Sequence, residues 1–151
     1  MSAYRLAGAV VDNLERFDVA VMNFANADMV GHTGVFEAAI KACEAVDRCL
    51  AMVLEKLAAL GGRAIVTADH GNSEEMINYE MSRKPDGTLD YSLRIPHTTH
   101  TPYNLTPCVL VDEANVGRTL RDGGCLGDVA PTLLKLLGLK QPGEMTGESL
   151  L

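Results

Sequence analysis

The feature that most constrains this chain is a long helical stripe set between two short apolar runs. Residues 17–24 (FDVAVMNF) read as a first strand and 63–68 (RAIVTA) as a second. Between them, 36–60 carries Phe36, Ile40, Cys43, Val46, Leu50, Val53, Leu54 and Leu57 at helical spacing, and Gly61-Gly62 ends the helix. Glu37 with Lys41, and Glu44 with Arg48, form i,i+4 pairs on its outer side. Strand, long helix, strand is the pattern of a parallel pair joined by a right-handed crossover, because no tight turn can join parallel neighbours. A helix over 2–16, with Ser2 as its N-cap, precedes this unit. PCVLV at 107–111 supplies a third strand, and an amphipathic helix over 128–137 closes at Gly138. The expected architecture is α/β, a mostly parallel sheet flanked by helices. Segment 75–96, with Pro85-Asp86-Gly87, reads as a long surface excursion rather than a domain boundary.

With 151 residues, 47% of them hydrophobic, the chain can bury a core without disulfide staples. Twenty acidic residues against thirteen basic give a net charge of −7, which excludes a broad nucleic-acid surface. No apolar run reaches the length of a membrane span, and no signal-peptide pattern is read. Cys43, Cys49, Cys108 and Cys125 lack C-x-x-C spacing and lie in apolar stretches, so a reducing, cytoplasmic setting is expected.

The chemistry gathers around the histidines. All four (His32, His70, His97, His100) lie in polar loops flanking a strand. His32 follows Asp28 at a spacing of four, His70 is adjacent to Asp69, and His97 and His100 precede the third strand. Taken singly, each has a plainer reading: a local hydrogen-bonded pair, a capped turn, a surface turn held by threonine hydroxyls. Three such loops at strand ends favour a shared metal site, since mixed carboxylate and imidazole donors suit zinc or manganese. Two ions close together would clamp the attacking and leaving oxygens of a phosphoryl displacement. No nucleophile is evident: Ser73, Ser82, Ser92 and Ser149 lack a base at a telling spacing. Arg118 and Arg121 read as a solvated turn, and Lys135 and Lys140 as charges at a helix end.

FANADMVGHTG (24–34), TADHGNSEEM (67–76), HTTHTP (97–102), LRDGGCLGDVAPTLLKLLGL (120–139) and EMTGESLL (144–151) resemble, in this order, the closing section of the cofactor-independent phosphoglycerate mutases. These belong to the alkaline phosphatase superfamily. The resemblance implies an alkaline-phosphatase-like core and two manganese ions, with magnesium or zinc as alternatives. It also implies a serine that carries the phosphoryl group between 3- and 2-phosphoglycerate without 2,3-bisphosphoglycerate. Asp28 and His32 then resemble ligands of one metal, with His100 as the third and His97 as its alternative; Asp69 and His70 resemble ligands of the other. On this resemblance residues 1–151 are the C-terminal segment of the metal-binding phosphatase domain, without the inserted transferase domain or the N-terminal part that carries the serine. The whole enzyme is expected to be a cytoplasmic glycolytic monomer that binds phosphoglycerate, neither nucleic acid nor membrane. The isolated segment is expected to be inactive and to self-associate through an open sheet edge. A phosphopentomutase, a phosphatase of the same superfamily and a non-catalytic metal-binding module are the competing readings.

Overall fold

Helix α1 (Ala3–Asn13) forms over the expected segment and tightens into a 3-10 turn at Leu14–Arg16. The computed structural model describes residues 2–76, 78–79, 82–90, 94–95, 104–117 and 119–151. Ser2 precedes α1 but its side chain does not cap it; its carbonyl instead accepts the Leu6 N–H at 2.9 Å. A short helix α2 (Asn26–Gly31) and the long α3 (Phe36–Ala59) follow. Strands β1 (Ala64–Thr67) and β6 (Cys108–Val111) and helix α4 (Val129–Leu136) also fall where the sequence places them.

The chain divides into two compact units, Met1–Lys56 with His70–Leu105, and Leu57–Asp69 with Thr106–Leu151. In the first, Ala3 and Ala7 of α1 pack with Cys49 and Val53 of α3, and Val10, Val11, Met22 and Phe24 lie against them. The face α3 buries overlaps the expected stripe in part: Val53 is buried and Val46, Leu50, Leu54 and Leu57 are half-buried, but the stripe's N-terminal members are not. Ala39, Ala42, Cys49 and Val53 point inward, whereas Phe36 is 66% exposed and Ile40 and Cys43 are also exposed. The residues of α3 that meet the small side chains of Ala3 and Ala7 are buried ahead of the bulkier ones beside them.

Residues 17–24 form no strand ladder among the described residues. The period of two survives: Met22 and Phe24 are half-buried, while Val21 is 88% exposed. Alternation signals a face, but a strand also needs a partner edge.

In the second unit β1 and β6 pair antiparallel, from Ala64 opposite Val111 to Thr67 opposite Cys108. The α/β class holds, but no parallel ladder occurs among the described residues. The expected crossover joins 17–24 to 63–68; the chain instead leaves β1 and returns to the same end, where Thr67 Oγ1 donates to the Pro107 carbonyl at 2.9 Å. Arg63 anchors the other end of the pair, with Nε 3.0 Å from Asp112 and Nη1 2.8 Å from the Leu136 carbonyl at the end of α4.

The excursion carries structure of its own. Strands β2 (Asn78–Tyr79) and β5 (Arg94–Ile95) pair antiparallel, as do β3 (Ser82–Arg83) and β4 (Leu89–Asp90). Pro85-Asp86-Gly87 closes the β3–β4 hairpin, with Gly87 at φ +85° and its N–H donating to the Lys84 carbonyl at 2.8 Å.

Candidate metal site

Helix α2 is short, and its first turn and its C-cap carry the two groups of interest. Asp28 and His32 stand four residues apart, which puts their side chains on one face. His32 Nε2 lies 3.3 Å from Asp28 Oδ1, and each side chain is about one-third exposed (38% and 35%). A carboxylate oxygen and an imidazole nitrogen thus face the same point at the protein surface.

A third residue meets them there. Asn72, in the loop after β1, donates through Nδ2 to Asp28 Oδ1 at 2.7 Å, and the same Nδ2 is 3.3 Å from His32 Nε2. Chemistry fixes the amide's orientation: the reverse would set an amide oxygen against a carboxylate oxygen. The loop is itself tied down. The Asn72 N–H donates to Glu74 Oε2 at 2.8 Å, Glu74 Oε1 accepts from Asn104 at 2.9 Å, and Ser73 Oγ donates to the Ala27 carbonyl of the α2 turn at 3.1 Å. Asn72 is 5% exposed, and its Oδ1 has no hydrogen-bond partner among the described residues. Gly31 makes this close packing possible, since a Cβ there would sit 2.0 Å from Asn72 Oδ1.

His70 belongs to the same unit. Its Nδ1 is 3.1 Å from the Gly71 carbonyl. A carbonyl can only accept, so in the neutral ring Nδ1 carries the proton and Nε2 keeps the lone pair, the tautomer a metal ligand needs. Asp69 follows β1 and closes the second unit's first segment. Neither residue is without an interaction partner. His97 and His100 lie outside the described residues. Among the described residues no group of three or more His, Cys, Asp or Glu gathers at one point, so the structure brings together Asp28 and His32 but not the full expected set.

The donor set nonetheless fits a cation. Two lone-pair donors of the types that bind manganese or zinc converge on one electropositive N–H₂ group, as they would on an ion. Sequence reasoning passed over Asn72, whose position after Asp-His-Gly reads as a turn. Its signal was that an amide is the one neutral side-chain group offering two N–H donors from one atom. Ser73, weighed as a nucleophile, is instead a lock on α2. Arg121, expected in a solvated turn, pairs with Asp128 at 2.8 Å; Arg118 lies outside the described residues.

Known proteins are similar to this chain along its whole length. The chain is 48% identical to the 2,3-bisphosphoglycerate-independent phosphoglycerate mutase 2 of Methanosarcina barkeri, over its full length but only 26% of that protein. It is also 48% identical to the corresponding mutase of Symbiobacterium thermophilum, covering 27% of it. The chain thus spans about a quarter of the length of these relatives. A crystal structure of Leishmania mexicana phosphoglycerate mutase at low cobalt concentration superposes with a TM-score of 0.77 at 31% identity, over 99% of this chain and 28% of that one. The family described as the metalloenzyme superfamily matches residues 1–141. A match over that span means that the chain belongs to the metalloenzyme superfamily.

Proposed function

We propose that this chain is the C-terminal, metal-holding segment of the phosphatase domain of a cofactor-independent phosphoglycerate mutase that interconverts 3- and 2-phosphoglycerate in the cytoplasm. The observation that carries the reading is the convergence of Asp28 Oδ1 and His32 Nε2 on one point, in a chain 48% identical along its length to such mutases. Asp28 and His32 would hold one cation, completed by His100 or, failing that, His97. Asp69 and His70 would contribute to a second, with the His70 Nε2 lone pair kept available by the Nδ1–H bond to Gly71. Manganese is the proposed ion, with magnesium or zinc compatible with the same donors. When bound, such ions acidify a coordinated hydroxyl and neutralise the phosphoryl oxygens.

The chain's own residues supply position rather than the nucleophile. Ser73 cannot take that part without releasing Ala27, because its hydroxyl is spent on that carbonyl. The phosphoryl-carrying serine and the groups that grip glycerate are assigned to the rest of the enzyme. Passage through an enzyme serine is also why no 2,3-bisphosphoglycerate is required.

Calorimetric titration with MnCl₂ tests the site. Saturable binding is expected, and Asp28→Ala should weaken it by at least about tenfold, the lower end of what losing even a supporting group costs a metal site. Unchanged binding in the variant would remove the site from these loops. The isolated chain is expected to show no mutase turnover; measurable turnover would show that it carries its own nucleophile.

A further inference from the structure

An imidazole and a carboxylate 3.3 Å apart would ordinarily satisfy each other. Nε2–H would donate to Oδ1, and the pair would close on itself. Nitrogen Nε2 would then carry a proton instead of a lone pair, and the ring could not ligate through it. The Asn72 amide opposes that outcome. Its Nδ2 has only hydrogens to offer, and it sits 2.7 Å from Oδ1 and 3.3 Å from Nε2. A proton on Nε2 would face those hydrogens directly, so Nε2 accepts and the ring proton moves to Nδ1.

We propose that Asn72 is a positioning residue that holds His32 in its Nδ1–H tautomer and keeps the Asp28–His32 pair open, so that both lone pairs face the place a cation takes. The proposal rests on the reading of Asp28 and His32 as metal ligands. The two amide protons keep both acceptors unprotonated in the metal-free pair, and the amide turns aside when a cation takes its place on the single Nε2 lone pair.

Rigidity is what allows an asparagine to do this. Asn72 is buried, its own N–H is held by Glu74, its neighbour Ser73 is bonded to Ala27, and its Oδ1 is pressed against Gly31. These contacts set the amide's orientation in the metal-free pair. That Oδ1 lacks a partner among the described residues is consistent with the same role. A buried acceptor left unpaired costs stability, and such a cost is expected where the other end of the group is needed for a task.

The test uses the full chain labelled with ¹⁵N-histidine and free of metal, at a pH where the ring is neutral. Long-range ¹H–¹⁵N spectra should show a bare, lone-pair Nε2 for His32 in the wild type. In Asn72→Ala, and in the isosteric but donor-free Asn72→Asp, the same nitrogen should move to the N–H shift. Calorimetry with MnCl₂ should find Asn72→Ala about tenfold weaker than wild type. Circular dichroism establishes folding, and Asn72→Asp keeps the test in force should the alanine variant unfold. An Nε2–H ring in the wild type, or a bare Nε2 in both variants, overturns the proposal. Failure of the ligand reading looks different: the wild type does not bind Mn²⁺, or Asp28→Ala binds as it does, whatever the tautomer of His32.

Discussion

Gly31→Ala is expected to destabilise the chain by about 2 kcal/mol, the usual cost of overpacking a filled site, and to dismantle the Asp28–Asn72–His32 arrangement with it. The added Cβ would lie 2.0 Å from Asn72 Oδ1 and 3.1 Å from both Asn72 Cγ and Ser73 Oγ. No real carbon approaches an oxygen at that distance, so something must yield. Asn72 cannot yield cheaply, because it is buried and its amide nitrogen is held by Asp28. Swinging the amide aside forfeits its contacts with Asp28 and His32; moving α2 instead breaks the Ser73–Ala27 bond.

The two routes can be told apart by a double-mutant cycle. Truncating Asn72 removes the atoms that the new methyl strikes. Urea denaturation should therefore find Gly31→Ala/Asn72→Ala no less stable than Asn72→Ala alone, a non-additivity of about 2 kcal/mol. Additive losses would mean that the methyl's obstacle is the α2 backbone position and not Asn72. The His32 tautomer supplies a second readout, since Gly31→Ala should shift it as Asn72→Ala does.

Asp28 and His32 were legible in the sequence because a spacing of four on a helix turn dictates proximity whatever else the chain does. Asn72 was not. It comes from the loop after β1, and only the fold brings that loop onto α2. The limits of pattern show equally in α3. Its period of 3.6 was readable and its bounds nearly so, but which face is buried depended on the partner. Ala3 and Ala7 select a small-residue seam that contains Cys49, and no property of α3 alone announces it. Strand direction failed for a related reason. The run 63–68 was recognised by its apolar residues, yet its neighbour is β6, some forty residues later, and no local rule encodes that choice.

Asp128→Ala is expected to lower Tm by about 10 °C, because one carboxylate ties Arg121, Cys125 and Glu148 together. Asp128 is 5% exposed. Its Oδ1 accepts the Glu148 N–H at 2.8 Å, and its Oδ2 accepts the Cys125 N–H at 3.0 Å and Arg121 Nη2 at 2.8 Å. Its carbonyl accepts from Thr132 Oγ1 at 2.6 Å, and that hydroxyl in turn accepts the Leu150 N–H at 2.9 Å. Arg121 closes the circuit, its own N–H donating to the Leu150 carbonyl at 2.8 Å. Alanine leaves the guanidinium and the Glu148 and Cys125 N–H groups without the carboxylate they share, while Leu150 keeps its bonds to Thr132 Oγ1 and the Arg121 N–H. Hydrogen exchange should therefore quicken first at Glu148 and Cys125, with β1 and β6 affected later. Protection at those two amides equal to the wild type's would refute the assignment.

The same carboxylate makes a pH prediction with a definite sign. The N–H bonds from Glu148 and Cys125, with the Arg121 charge assisting, hold the Asp128 pKa below the ordinary aspartate range despite its burial. A group whose folded pKa is lowered contributes stability that is complete above its unfolded pKa, near 4, and that is lost as pH falls through the lower folded value. Wild-type Tm should therefore drop more steeply below about pH 4 than that of Asp128→Asn, which has no proton to take up. The two curves should run parallel from there to neutrality. Thermal melts followed by circular dichroism across that range decide it: equal slopes below about pH 4 would show that the carboxylate's charge does not hold the C-terminal segment, and that its shape alone does.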